Sequence, residues 1–406
     1  MGRFALAVSV AFLLLASAVV RAQGRFALQS EEVKDPSVPP VRLGVEFLSP
    51  QRERPAGLKV PPKGVSAQPL YYIAHVGGRD VLLVLYESKT PTLFVDIRGN
   101  GDLSDQKPYE AATVRRGSLF ASQSARVFGP IALDVSSNGQ KAQARFKVAL
   151  LDMGRDTHYL RLFPAEMLSG RANLAGKSYS FALLDGNLNG RYNDVLALSP
   201  EPECDWLGID LNGDGKFDER MFDSGEVMPL PRIMQVKDTY YSLKVEPDGA
   251  SVTFERVEPE LGTVDVGFPG AELTLLSDSG YHHIEGGQGK WQLPAGKYWA
   301  WRFVLNRTDD KRLHWKMESV ANTGKLKDFE IRGGETLVLK AGPPLIAKLE
   351  VQQAPGAVSI GLAIVGQAGE QYSPAANRNG SQVATPALRI LSESGKVLAA
   401  GSFQYG

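Results

Sequence analysis

Tyr179-Ser-Phe-Ala-Leu-Leu184 runs directly into Asp185-Gly-Asn-Leu-Asn-Gly-Arg-Tyr-Asn-Asp194. The first six residues are short, aromatic and leucine-rich, the signature of a strand. The next ten set side-chain oxygens around a glycine at the sixth position. The same pair of patterns occurs twice more. Thr92-Leu-Phe-Val95 precedes Asp96, Arg98, Asn100, Gly101, Asp102, Ser104 and Asp105, while Trp206-Leu-Gly-Ile209 precedes Asp210, Asn212, Asp214, Gly215, Lys216, Asp218 and Glu219. Oxygens at positions 1, 3, 5 and 9 suit Ca²⁺, which takes six to eight of them, and position 7 (Asp102, Arg191, Lys216) needs to lend only its backbone carbonyl. Position 8 is apolar in every copy, as Leu103, Tyr192 and Phe217, and can anchor the loop in a core. Strands in front of all three loops point to an all-β chain with calcium-type loops inserted between strands and little helix. Plain polar turns are the alternative, because Asn, Asp and Gly also dominate metal-free turns.

Candidate metal ligands are Asp96, Asn100, Asp102, Ser104 and Asp105 in the first loop and Asp185, Asn187, Asn189, Arg191, Asn193 and Asp194 in the second. Asp210, Asn212, Asp214, Lys216, Asp218 and Glu219 serve the third. Arg98 puts a cation where an oxygen belongs, which weakens the first loop. Position 12, where a bidentate glutamate completes a helix-flanked loop, holds Lys107, Leu196 and Met221. The loops resemble the dockerin-type and EF-hand-like loops of secreted bacterial proteins, most closely in Asp210-Leu-Asn-Gly-Asp-Gly-Lys-Phe-Asp218. That resemblance implies structural calcium, with the missing ligand lent by a nearby acid: Asp105, Asp194, Asp205, Glu219 or Asp223.

The N-terminus bears on compartment. Arg3, an apolar stretch from Phe4 to Val20 and Val20-Arg21-Ala22 before Gln23 read as a signal peptide over 1–22, with an uncleaved anchor as the alternative. No other segment has spanning length. Export to the exterior or periplasm follows, with a cell-surface location open. The sole cysteine, Cys204, permits no intramolecular disulfide, so core burial or metal must hold the loops. Cleavage shortens the chain from 406 to 384 residues and leaves 43 basic against 45 acidic ones, a formal charge of −2 that is unsuited to nucleic acid.

Forty-two glycines and 25 prolines suit many strands joined by tight turns. Residues 23–69 read as a proline-rich extended lead-in with an edge strand at Val41 to Leu48, and 70–261 as a β-rich domain carrying the three loops. Gly267-Phe-Pro-Gly-Ala-Glu-Leu-Thr-Leu-Leu276 and Gly289-Lys-Trp-Gln-Leu-Pro-Ala-Gly-Lys-Tyr298 are similar to the carboxypeptidase-regulatory or transthyretin-like β-sandwich, implying such a domain over 262–342. A small β domain is expected over 343–406.

Three functions fit. One is a non-catalytic calcium-stabilised scaffold for binding or adhesion, with a polysaccharide or protein as its extracellular ligand. Another is a glycoside hydrolase using two of Asp194, Glu201, Glu203 and Asp205, whose carboxyls must then stand a set distance apart. The third is a carbohydrate-binding module using Trp299 and Trp301. Alternation places these tryptophans with Phe303 on one strand face, which reads as sandwich core; His282-His283 reads as a surface hairpin, and Cys204 as a small buried thiol. No serine-hydrolase elbow, zinc-protease helix, phosphate loop or dinucleotide fingerprint occurs.

Overall fold

The computed structural model describes residues 23–34, 47–60, 68–104, 106–115, 124–137, 139–152, 158–198, 203–217, 225–319 and 323–404. Among them the chain is built of strands, and the helical elements are two 3-10 turns of three residues each. Pro69–Val76, Arg79–Tyr86, Thr92–Val95 and Tyr109–Glu110 form a four-stranded sheet. It faces a five-stranded sheet ordered Phe47–Leu48, His158–Pro164, Gln140–Asp152, Ser124–Ser137 and Ala112–Arg115. Alternate residues of both sheets, among them Tyr72, Leu83, Phe128, Phe146 and Leu162, interdigitate as one dry core.

A second sandwich carries the later loops. One sheet runs Val227–Pro229, Trp206–Ile209, Lys177–Leu184, Glu166–Leu174 and Gln29–Glu32; the other runs Gln23–Ala27, Ser251–Val257, Thr239–Val245 and Ile233–Val236. Their inner faces share a core that includes Phe181, Leu207, Met228 and Phe254. Val33, Ala149, Phe163 and Leu184 join the two sandwiches. The span read as one β-rich domain therefore contains two cores. Residues 23–32, read as part of an extended lead-in, supply an edge strand to each sheet of the second: Phe26 lies opposite Val252, and Ser30 opposite Leu168. Pairing partners so far along the chain leave no local signal.

The third sandwich packs Leu261–Asp265, Lys290–Pro294 and Thr336–Val338 against a larger sheet centred on Gly296–Thr308. Ala368 and Tyr372, from the expected separate C-terminal domain, are buried in this same core, and Asn377–Arg378 pairs with His314–Glu318. Beyond it, the hairpins Ile346–Ala354/Ala357–Val365 and Ala387–Leu391/Val397–Ser402 leave Leu349, Val351, Val358 and Leu398 exposed.

Two local readings change. The pairing of Ala271–Ser277 with Gly296–Thr308 shifts register between Thr274 and Leu275, opposite Arg302 and Ala300, so Trp301 is an extra residue in a β-bulge. Tyr298 and Ala300 before it and Phe303 and Leu305 after it face the core, while Trp301 is exposed and Trp299 half-buried. The two tryptophans are not core. His282 is buried rather than on the surface; its ring lies 5.6 Å from that of Tyr298, and burial lowers its pKa to about 4. Cys204 is a buried free thiol, pushed by burial up to about 12.

Candidate metal-binding loops

Each loop begins at the residue after a strand: Asp96 after Thr92–Val95, Asp185 after Lys177–Leu184, Asp210 after Trp206–Ile209. A strand end leaves backbone N–H groups without ladder partners, and the first-position carboxylate takes them up. Asp185 Oδ1 accepts from Asn189 N at 3.0 Å and Oδ2 from Gly190 N at 2.7 Å. Asp210 accepts from Gly213 N and Gly215 N, and Asp96 from Gly101 N and Asn100 N.

The amides and acids that follow build a ladder of side-chain turns. Asn187 Oδ1 accepts from Asn189 N and Asn189 Oδ1 from Arg191 N; in the third loop Asn212 Oδ1 accepts from Asp214 N and Asp214 Oδ1 from Lys216 N. The sixth-position glycines have φ of +74°, +75° and +84° (Gly101, Gly190 and Gly215). A Cβ on Gly190 would also sit 2.7 Å from Gln143 O, so the wrap requires glycine twice over.

Burial tightens the second loop. Asp185 is 4 % exposed and Asp205, twenty residues on, is fully enclosed. Asp205 Oδ1 accepts from Gly186 N at 3.0 Å and Oδ2 from Asp194 N at 2.7 Å, so this acid closes the loop at both ends. Asp194 Oδ2 accepts from the side-chain amides of Asn187 and Asn189. Burial, and then the charge of Asp194, push the Asp185 carboxyl up to about 7 against the hydrogen bonds from Gly190 and Asn189. Asp205 is raised well above the usual carboxylate range, by burial first and then by Asp185. Asn193 Oδ1, at position 9, is buried with no hydrogen-bond partner. The acid-and-amide donor set suits a hard cation, which would compensate two mutually repelling buried carboxyls and could take up the orphaned oxygen of the same loop. Among the described residues, no group of three or more Asp, Glu, His or Cys side chains is placed to hold a metal ion, so an ion here would depend on amide and backbone oxygens.

The third loop opens at the other end of the same strand pair. Leu184 lies opposite Trp206 and Phe181 opposite Ile209, and Asp210 N donates to Ser180 O. Asp185 and Asp210 are thus about five residues apart along the sheet, roughly 17 Å at strand rise. The acids between the two loops, Asp194 and Asp205, attend the second loop only. Glu226 serves the third: it is 2 % exposed, its Oε1 accepts from Asn212 N at 2.9 Å and its carbonyl from Ile209 N. Asp105, Asp218, Glu219, Glu201 and Asp223 lie outside the described residues.

In the first loop the ladder lacks its third-position step, where Arg98 stands. Asn100 Oδ1 accepts from Asp102 N, and Asp102 Oδ1 from both Ser104 N and Ser104 Oγ. Gly101 O accepts from Lys59 N and Val60 N, so a neighbouring segment already occupies this loop's backbone. The eighth-position anchors differ in depth. Leu103 is fully buried, Tyr192 packs on the second core, and Phe217 covers Gly208. Position 12 of the second loop, Leu196, is buried and its N–H donates to Leu230 O, which turns the missing ligand position into core.

Compared with known protein families, curated proteins and solved structures, the chain finds no match.

Proposed function

We propose that the protein is an exported, non-catalytic β-scaffold in which calcium at the second and third loops fixes the second sandwich, and that the scaffold serves binding or adhesion. The observation that carries this reading is Asn193 Oδ1, a ninth-position oxygen buried without a partner in the same loop that Asp185 opens and Asp205 closes. An unsatisfied buried acceptor costs roughly 1–3 kcal/mol, which an ion would offset. When bound, Ca²⁺ supplies charge compensation, and the chain's own residues supply the wrap. Arg98, a cation at the third position where an oxygen belongs, leaves the first loop as a metal-free turn.

Enclosure counts against the hydrolase reading. Asp205 is fully buried with both oxygens held by backbone N–H groups, so it has no path to a polysaccharide. Export through residues 1–22 goes with this reading, and N-terminal sequencing of secreted protein tests it by finding Gln23 first. Calorimetric titration of metal-free protein tests the loops: two calcium sites are expected, one of them lost in Asn193→Ala. No calcium uptake would refute the proposal.

A further inference from the structure

Trp299, two residues before the bulge at Trp301, alternates with the buried Tyr298 and Ala300 and lines a cavity of about 620 Å³ outside the core of the third sandwich. Lys297 and Trp299 come from one strand, Asp328 and Glu330 line the cavity from the segment beside it, and Asp278 comes from the turn after Ala271–Ser277. Leu198, from the segment that leaves the second calcium-type loop, forms the far wall. The floor is stiff. Behind it, Tyr298 is fully buried, stacks on Phe329 at 5.8 Å and 14°, and donates its hydroxyl to Pro294 O.

We propose that this cavity binds a pyranose unit of a neutral polysaccharide, with the Trp299 indole as stacking platform and Asp278, Asp328, Glu330 and Lys297 as hydroxyl partners. An aromatic face is negative at its centre and attracts the polarised C–H edge of a sugar ring. Carboxylates accept from sugar hydroxyls and an ammonium donates to them, so both kinds of partner surround the platform. Volume agrees, since small-molecule sites span about 300–1,000 Å³. Charge selects within the class: three carboxylates against one ammonium repel uronate and sulfate groups. Lys297, directly opposite Glu330, offsets part of that negative field and supplies the one ammonium donor of the lining.

This inference rests on the scaffold reading only in giving the scaffold a ligand. Calcium-dependent melting of the glycan-free protein tests that reading separately, so the two can fail independently. The experiment uses the full mature chain on an array of neutral, uronate and amino-sugar oligosaccharides, followed by titration of any neutral binder with indole fluorescence as readout. Wild type is expected to bind neutral oligosaccharides with a fluorescence shift. Trp299→Ala should weaken binding about tenfold or more, a loss of roughly 1.4 kcal/mol. Glu330→Gln, on an exposed residue that leaves the fold intact, should weaken it several-fold, and it keeps the test alive if the Trp299 variant misfolds. Absence of neutral-glycan binding, binding confined to charged glycans, or affinity unchanged in Glu330→Gln and in a folded Trp299→Ala would overturn the proposal.

Discussion

Calcium should stabilise the protein at pH 8 far more than at pH 6, and the second loop sets the size of the difference. In calcium-free protein, burial raises the Asp185 carboxyl from 3.8 to about 7. A raised folded pKa gives stability that is present below the unfolded value and lost as pH rises to the folded one, here on the order of 4 kcal/mol between pH 4 and 7. Calcium needs that carboxyl ionised, so below pH 7 it must displace at least this proton, and with the raised Asp205 beside it in the same loop its affinity falls at least about tenfold per pH unit. For a site of ~10⁻⁴ M at pH 8, one millimolar calcium contributes about 1.4 kcal/mol, falling to ~0.4 kcal/mol or less at pH 6. His282 runs the other way: its depressed pKa gives stability present above 6.5 and lost as pH falls toward 4. That contribution is the same with calcium or chelator and cancels in the difference. Thermal unfolding in both media at four pH values measures the increment, with Asp185→Asn as the flatter control. An increment independent of pH, or one unchanged in Asp185→Asn, would sink the reasoning.

Asp205→Ala strips the partners from Gly186 N and Asp194 N and should cost roughly 2–4 kcal/mol by denaturant unfolding, even in chelator. Asp185→Ala and Asp210→Ala should add within about 0.5 kcal/mol in a double-mutant cycle on calcium-dependent stability, because roughly 17 Å of sheet separates the two loops; a larger coupling would mean that they share an ion or a ligand. Glu226→Gln should lower calcium affinity at the third loop and leave the second unchanged, as resolved by titration in the Asp185→Ala background. Gly190→Ala combines positive φ with a clash on Gln143 and should lower the melting temperature by several degrees whether or not calcium is present.

The all-β character was legible because each strand announces itself locally: Thr92–Val95, Lys177–Leu184 and Trp206–Ile209 are short apolar runs ending at an aspartate. The turn ladder was equally legible, since every step of it spans two to five residues. Topology was not. Antiparallel pairing of Leu184 with Trp206 sends the two loops to opposite ends of the sheet, although the loops begin only 25 residues apart in sequence. The same long-range pairing hid the edge strands at 23–32 and the service of Glu226 to the third loop. Trp299 and Trp301 were misread for a different reason. Alternation assumes an unbroken pleat, and one bulged residue reverses which face every later side chain meets.

The placement of the two loops has a mechanical consequence. A two-stranded register slips by moving one strand along the other, and apolar side chains resist such motion only through the pleat. Here Asp185 stops the sheet at one end and Asp210 at the other, each fastened by backbone amides of its own loop. A slip in either direction drags one aspartate out of its loop while driving the other into the ladder. With an ion in both loops the pair would behave like a bolt held by a nut at each end, yielding to force applied along the strands only after one loop had opened completely.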